Sequence, residues 1–146
     1  MDKYDSLLLK NQLCFPTYAA ANKITRRYQP LLEKLDLTYT QYIVMMVMWE
    51  KKKVNEKELC EALYLKTNTL TPLIKKLKDK GLVEISKDKL DHRNLVISLT
   101  NKGEALKEKA VEVPPSIAKE FNLTEEEAKF LYQILYKILN DDKGEK

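Results

Sequence analysis

The sequence predicts a mainly helical chain of the α+β class, in which two strands lie among longer helices. Only 3 of its 146 residues are glycine and 33% are charged, a composition that favours helices over disorder. Apolar side chains recur at helical spacing through most of the chain. Between residues 82 and 99 the period changes, and two segments rich in β-branched residues indicate strands.

A helical pattern fills Leu7 to Leu35 at the start of the chain. Pro16 is expected to kink or split this helix, because proline removes one backbone donor and crowds the carbonyl four residues before it. Pro30 is a second position at which we expect a bend. The apolar anchors of this helix predict that one face packs against other helices.

Three capping boxes predict where other helices begin. In a capping box, the residue before the helix and the residue three positions later exchange side-chain and backbone hydrogen bonds. The boxes are "TYTQ" at Thr38–Gln41, "NEKE" at Asn55–Glu58 and "TEEE" at Thr124–Glu127. They predict a helix up to about Glu50, a short helix ending near Leu63, and a last helix through Ile138.

The segment from Thr67 to Lys80 has apolar residues at i, i+3, i+4 and i+7, and Gly81 is placed to end this helix. The strands, "LVEIS" and "NLVISL", follow, and the charged segment "KDKLDHR" between them predicts a hairpin tip. A further helix begins near Thr100 and should end at Pro114 and Pro115.

The order helix, helix, helix, strand, charged tip, strand is typical of a winged helix-turn-helix. We assign this DNA-binding domain to residues 37–100. Residues 1–36 and 101–146 are predicted to form a helical region, and these flanking N- and C-terminal helices are the expected dimerisation helices.

The excess positive charge is confined to one segment. The net charge is +4, and Tyr64 to Arg93 contains eight basic and four acidic residues, so the rest of the chain is balanced. Such concentration is typical of a nucleic-acid footprint. A lysine-rich helix face exposed to solvent is the alternative.

In a helix-turn-helix the second helix enters the major groove. Short hydrogen-bonding side chains at its start suit base edges, and lysines further along suit phosphates. Arg93 on the tip suits a narrow minor groove, with Asp91 holding its guanidinium. The predicted DNA-binding residues are Thr67, Asn68, Thr69, Thr71, Pro72, Lys75, Lys76, Lys87, Lys89, Asp91 and Arg93.

The segment "LYLKTNTLTPLIKKLKDKGLVEISKDKLDHRNLVISLTNKG" resembles the core of MarR-family regulators, most specifically in Asp91-His92-Arg93 on the wing. Together with "KNQLCFPTYAA" and "YQPLLEKLDLTYTQYIVMM", it resembles the OhrR branch, thiol-based sensors of organic hydroperoxides. The resemblance covers roughly residues 7–113. It implies a homodimeric repressor that binds a palindromic operator in double-stranded DNA and leaves it when Cys14 is oxidised.

The resemblance also implies which side chains surround the thiol. Residues matching Tyr28 and Tyr39 come from the partner subunit and hydrogen-bond the sulfur, and Tyr18 matches a further tyrosine near the site. On one continuous helix Cys14 and Tyr28 lie about 21 Å apart, so they can meet only between two antiparallel helices. Phenol hydroxyls that donate to sulfur favour the thiolate, which attacks the peroxide to give a sulfenic acid.

The apolar neighbours Leu13 and Phe15 favour lipid-like or aromatic peroxides over hydrogen peroxide. Cys60 is interpreted as a packing residue, and no cysteine follows it. This indicates the one-cysteine type, in which a low-molecular-weight thiol caps the sulfenic acid. Taken without the resemblance, Cys14 is more typical of a small buried core residue.

Three positions depart from the OhrR pattern. Pro16 replaces an aliphatic residue, "KTN" at residues 66–68 replaces Asp-Ser-Gly, and Thr40 replaces a proline. The first alters the surroundings of the thiol, and the second implies a different operator.

Several classes of protein are not favoured. No apolar run approaches the roughly 20 residues of a membrane span, and no signal peptide is evident, so we expect a cytoplasmic protein without membrane partners. Two cysteines and one histidine predict neither a metal site nor a cofactor. We expect no enzyme. The rivals are a MarR-type regulator triggered by a small aromatic ligand, a thiol peroxidase, and a protein-binding winged helix.

Overall fold

The computed structural model describes residues 2–141, and within them the chain forms seven α-helices and one three-stranded antiparallel sheet. Two short 3-10 turns, Asp5–Leu7 and Leu9–Asn11, precede the first helix. The elements are α1 (Phe15–Glu33), α2 (Tyr39–Lys51), β1 (Lys53–Asn55), α3 (Glu56–Leu63), α4 (Thr67–Asp79), β2 (Val83–Lys87), β3 (Leu95–Leu99), α5 (Asn101–Ala110), α6 (Val113–Ala118) and α7 (Glu125–Leu139).

The prediction of one α-helix from Leu7 was wrong, whereas the predicted split near Pro16 is present, because residues 12–14 separate two short 3-10 turns from α1. Helix α1 begins at Phe15, and Pro16 lies in its first turn. Proline is well accommodated there, because the N–H groups of the first turn have no partner within the helix. Pro16 therefore starts the helix, and α1 continues through Pro30 to Glu33.

All three capping boxes are confirmed, with both reciprocal hydrogen bonds formed at Thr38, Asn55 and Thr124. Gly81 ends the α4 segment with a φ of 77°, the left-handed conformation that glycine adopts without steric cost. The local sequence thus sets the boundaries of α2, α3, α4 and α7.

The sheet has the order β1-β3-β2, and the predicted hairpin forms its β2 and β3 strands. Lys87 is the last residue of β2 and not part of the tip. Strand β1 was not predicted. It has three residues and pairs antiparallel with β3, Val54 lying opposite Ile97. The three helices α2, α3 and α4 and this sheet form the winged helix-turn-helix that the sequence predicts.

The prediction that Pro114 and Pro115 end the helix that begins after Thr100 was wrong. That helix, α5, ends at Ala110, and the two prolines lie in the first turn of the short helix α6. Proline is favoured at the start of a helix for the same reason as in α1.

Residues 37–100, here called the reading head, contain most of the core. Leu70, Ile74 and Leu77 of α4 are buried against Val44, Met45 and Met48 of α2. The Trp49 indole N–H donates to the carbonyl of Gly103 at 2.8 Å, which fastens α5 to the reading head. A Cβ atom on Gly103 would lie 2.3 Å from the Leu82 carbonyl oxygen, so this close approach requires glycine.

Helix α7 differs from the others, because none of its residues is buried within the chain. Its apolar residues are exposed and lie at helical spacing: Phe130, Leu131, Ile134, Leu135 and Ile138. Through residues 2–141, no helix is long and apolar enough to cross a membrane.

Candidate nucleic-acid interface and thiol site

Helix α4 presents a polar face to solvent because its apolar residues occupy the opposite side. Leu70, Ile74 and Leu77 are buried in the core. The outward face carries six of the predicted DNA-binding residues, all of them exposed: Thr67, Asn68, Thr69, Pro72, Lys75 and Lys76. Pro72 lies inside the helix without interrupting it.

Thr71 differs from its neighbours because it is half-buried and engaged within the chain. Its hydroxyl lies 2.9 Å from the carbonyl oxygen of Thr67 and 3.1 Å from a carboxylate oxygen of Glu56 on α3. It therefore joins the two helices of the helix-turn-helix, a role that the sequence did not indicate.

The tip of the β2–β3 hairpin is a compact turn held by its own backbone. Asp88 N–H donates to the Asn94 carbonyl at 2.9 Å, and Asn94 N–H donates to the Asp91 carbonyl at 3.0 Å. Lys87, Lys89 and Arg93 lie at this end of the hairpin, and all three are exposed. Lys89 and Arg93 on the tip, with Lys87 at the end of β2, therefore place three cations at an end of the hairpin that backbone hydrogen bonds hold in shape.

The predicted pairing of Asp91 with Arg93 is present. The guanidinium donates through Nε to Oδ1 at 3.1 Å and through Nη2 to Oδ2 at 3.4 Å. These side-chain bonds, and then the Arg93 backbone N–H, hold the pKa of Asp91 below its ordinary value. The Arg93 side chain is nevertheless 92% exposed, so it is oriented yet accessible to a groove.

Cys14 is exposed and directly precedes α1. Its carbonyl accepts the Thr17 and Tyr18 N–H groups at 3.1 and 3.3 Å, which fixes the residue at the start of the helix. Leu13 is 89% exposed and Phe15 41%, so the thiol lies between apolar side chains that the chain itself leaves uncovered.

The tyrosine cluster consists of Tyr28 on α1 with Tyr39 and Tyr42 on α2. The Tyr28 ring centroid lies 4.9 Å from that of Tyr39 and 5.9 Å from that of Tyr42. Burial, and then the charge of neighbouring tyrosines, raises the pKa of Tyr28 and of Tyr42; burial and then Tyr136 raise the pKa of Tyr39. The phenols therefore stay protonated at neutral pH, and each keeps an O–H group that can donate a hydrogen bond.

The thiol and the tyrosine cluster lie towards opposite ends of α1. Because α1 is continuous, its rise separates Phe15 from Tyr28 by about 20 Å. Only Tyr18, one turn from Cys14 and 68% exposed, is near the thiol along the same helix. Within one chain, the structure does not bring Cys14 together with Tyr28.

Cys60 lies on α3 and is partly buried against the core. Its sulfur is 3.8 Å from the hydroxyl oxygen of Thr67, the first residue of α4. This position suits the packing role predicted for it. Among the described residues, no cluster of histidine, cysteine, aspartate and glutamate is suited to hold a metal ion.

A cavity of about 430 Å³ opens between the end of α1, the start of α2 and the end of α4. Arg26, Glu33 and Tyr39 line it together with Lys80. The Lys80 ammonium donates to the Asp36 carbonyl oxygen and, at 3.1 Å, to the Gln41 side-chain oxygen. Sequence reasoning missed this role of Lys80, because its partners are about forty residues away and no local pattern marks them.

Comparison of the sequence with known proteins assigns the chain to a family. A family profile described as transcriptional regulator SarA/Rot matches residues 26–110. The organic hydroperoxide resistance transcriptional regulator of Bacillus subtilis (strain 168) is 41% identical over 138 residues, which cover 94% of each chain.

Solved structures agree with this placement. One is AbfR, a protein of Staphylococcus epidermidis, in its reduced form bound to DNA. Its TM-score is 0.78 and its sequence identity is 31%, and the match covers 94% of this chain and 96% of AbfR. A mutant of MarR from E. coli, complexed with operator DNA, matches with a TM-score of 0.81 and 25% identity over 95% and 99% of the two chains. The chain belongs to the SarA/Rot family of MarR-like winged-helix transcriptional regulators.

Proposed function

We propose that this protein is a DNA-binding repressor that leaves its operator when an organic hydroperoxide oxidises Cys14. The observation that carries the proposal is an exposed thiol at the start of α1, on a chain whose reading head presents a basic face. The name of the B. subtilis relative supports the class of oxidant. Structures of AbfR in a reduced, DNA-bound form and in a disulfide form support control by oxidation.

The reading head binds double-stranded DNA through two elements. The start of α4 enters the major groove, where Asn68 suits adenine, and Lys75 and Lys76 neutralise phosphates. Arg93, held by Asp91, inserts into the adjacent minor groove. A protein that binds chromosomal DNA in this way works in the cytoplasm.

The protein acts as a homodimer, assembled by the helical region of residues 1–36 and 101–146, of which residues 1 and 142–146 lie outside the described chain. The exposed apolar residues of α7 support this assembly, because a second copy would remove them from water. Two-fold symmetry of the dimer then requires a palindromic operator.

The sensing site is completed across the dimer. Two α1 helices that run antiparallel bring the start of one towards the far end of the other, where Tyr28 and Tyr39 lie. Tyr28 and Tyr39 are protonated and can donate hydrogen bonds. Two such donors from the partner subunit stabilise a thiolate that Tyr28 and Tyr39 of its own chain do not reach. Tyr18, one turn from the thiol, borders the same site.

The chemistry is a two-electron oxidation. The Cys14 thiolate attacks one oxygen of the hydroperoxide, an S–O bond forms and the O–O bond breaks. The alcohol leaves after taking up a proton, and the sulfur is left as a sulfenic acid. A low-molecular-weight thiol then displaces water to give a mixed disulfide, because Cys60 is the other cysteine of the chain and lies on the reading head.

DNA binding and oxidation, followed together, test this function. Protein is bound to a duplex selected from a random pool and treated with cumene hydroperoxide plus cysteine, with binding followed by anisotropy and each cysteine by mass spectrometry. We expect Cys14 to gain one thiol adduct and affinity to fall about a hundredfold. Cys14→Ser should stay bound, while the matched control Cys60→Ser should respond like the wild type.

Two outcomes contradict the proposal. If Cys14→Ser is released as readily as the wild type, Cys14 is not the sensor. If the protein consumes many equivalents of peroxide for each chain when a reductant is supplied, it is a thiol peroxidase and not a stoichiometric sensor.

One observation favours a second candidate, a regulator triggered by a small ligand. The cavity beside Tyr39 and Lys80 has a volume in the range of small-molecule sites. This candidate predicts that an aromatic carboxylate such as salicylate releases DNA from wild type and Cys14→Ser protein alike.

A further inference from the structure

Lys80 lies where α4, here called the reading helix, approaches α1 and α2, the two helices that carry Tyr28 and Tyr39. It is the residue at the C-terminal end of α4. Its side chain leaves the reading helix and crosses to the loop between α1 and α2. The Lys102 ammonium donates to the Lys80 carbonyl at 2.8 Å, so α5 holds the backbone at this point.

The Lys80 ammonium donates to two residues, one in the loop that follows α1 and one on α2. It donates to the backbone carbonyl of Asp36, three residues after the end of α1, and lies 3.7 Å from the Asp36 carboxylate. It also donates to Gln41 Oε1 of α2 at 3.1 Å. Tyr28 lies on the first of these helices and Tyr39 on the second.

The acceptor on Gln41 connects Lys80 directly to the start of α2. Gln41 Oε1 also accepts the Thr38 N–H at 3.1 Å, the bond that closes the capping box of α2. Gln41 is only 3% exposed, so water does not replace a lost partner easily. Tyr39 directly follows Thr38, and a movement of Tyr39 therefore disturbs the oxygen that holds Lys80.

We propose that Lys80 is a positioning residue that couples the tyrosine cluster to the reading helix, through its bonds to Asp36 and Gln41. When oxidation of Cys14 releases the tyrosines, the loop between α1 and α2 shifts, and Lys80 carries that shift to α4. Lys80 touches neither the peroxide nor DNA bases in this role. The inference rests on the proposed function, since it names the link between its two sites.

Paired variants on one helix test the coupling. Lys80→Met removes the ammonium, and Lys80→Arg keeps a donor of similar reach. Lys78→Met, an exposed lysine two residues earlier, removes the same charge from the same helix end. Affinity for the selected duplex is measured before and after cumene hydroperoxide and cysteine, with mass spectrometry of Cys14 and thermal unfolding on each variant.

We expect Cys14 to be fully oxidised in the Lys80→Met protein. The ratio of DNA affinity in the reduced protein to that in the oxidised protein should be about tenfold smaller than in the wild type. Lys80→Arg should restore the ratio, and Lys78→Met should leave it unchanged. A residue of purely structural importance would lower both affinities together and keep the ratio.

The outcomes separate the inference from the proposed function. If the wild type responds to the hydroperoxide and Lys80→Met responds equally, the coupling through Lys80 is wrong and the sensor stands. If the wild type itself does not respond, both are wrong. If Lys80→Met no longer folds, Gln41→Met carries the test, because it removes the side-chain oxygen that accepts from Lys80, and an unchanged ratio overturns the inference.

Discussion

The reading head and helix α7 differ in where their apolar side chains find partners. The reading head buries Leu70, Ile74 and Leu77 within one chain. Helix α7 has an apolar face of similar composition and buries no residue of it. One chain therefore completes the core of its winged helix-turn-helix, whereas we propose that a second copy covers the apolar face of α7.

A charge on α7 should have the largest effect. Ile134→Glu places a carboxylate in the proposed dimer interface, where an unpaired buried charge costs about 4 kcal/mol. We therefore expect the dimer dissociation constant to rise roughly a thousandfold, measured by analytical ultracentrifugation. The matched control, Gln133→Glu, adds the same charge on the polar face of α7 and should leave the dimer intact.

An equal effect of the two α7 variants would contradict the comparison, because it would mean that net charge, and not the apolar face, controls assembly. An Ile134→Glu protein that remains dimeric would remove α7 from the interface altogether.

Truncation of an apolar side chain should have the next largest effect, and it should destabilise the reading head more than α7. In the monomeric Ile134→Glu background, Leu70→Ala should lower the free energy of unfolding by about 3 kcal/mol, because Leu70 is fully buried. Ile138→Ala, at a residue 62% exposed, should change it by less than about 0.5 kcal/mol. Urea unfolding measures both, and comparable losses would show that α7 packs on its own chain.

The contact between the reading head and α5 at Gly103 should not accommodate a side chain. Gly103→Ala places a methyl group against the Leu82 carbonyl and the Leu99 side chain. We expect a loss of about 2 kcal/mol in the free energy of unfolding, since overpacking a rigid contact forces the backbone apart. Urea unfolding measures this loss. A Gly103→Ala protein as stable as the wild type would contradict the close contact between α5 and the Leu82 carbonyl, because it would mean that α5 can move away.

The tyrosine cluster should give a smaller, pH-dependent effect. The folded chain raises the pKa of Tyr28, Tyr39 and Tyr42 above the unfolded value of about 10. Their contribution to stability is therefore complete below pH of about 10 and is lost as the pH rises through the folded values. Tyr39→Phe should reduce this alkaline loss in thermal unfolding scans, and an unchanged pH dependence would contradict burial of its phenol.

Local features of the sequence predicted most of the reading head and the start of α7. The capping boxes at Thr38, Asn55 and Thr124 act through bonds three residues apart, so the sequence alone reveals them. Strand β1 escaped prediction because three residues carry no period, and its pairing partner Ile97 is distant in sequence.

The candidate site was predictable only in part, for the same reason. The Asp91–Arg93 pair is local and was predicted, but the Lys80 contacts with Asp36 and Gln41 depend on the packing of three helices. Pro16 was misread because the rule for prolines inside a helix was applied at its first turn.

A mixed dimer in which the intact Cys14 and the intact Tyr28 lie on different subunits tests most directly whether the thiol is activated from across the dimer. One subunit carries Cys14→Ser and the other carries Tyr28→Phe, and two affinity tags isolate the heterodimer. Its one remaining Cys14 then faces the intact Tyr28 of the partner subunit. We predict that cumene hydroperoxide oxidises this thiol at the wild-type rate, while the Tyr28→Phe homodimer reacts slowly. If the mixed dimer reacts as slowly as that homodimer, the thiol is not activated from across the dimer.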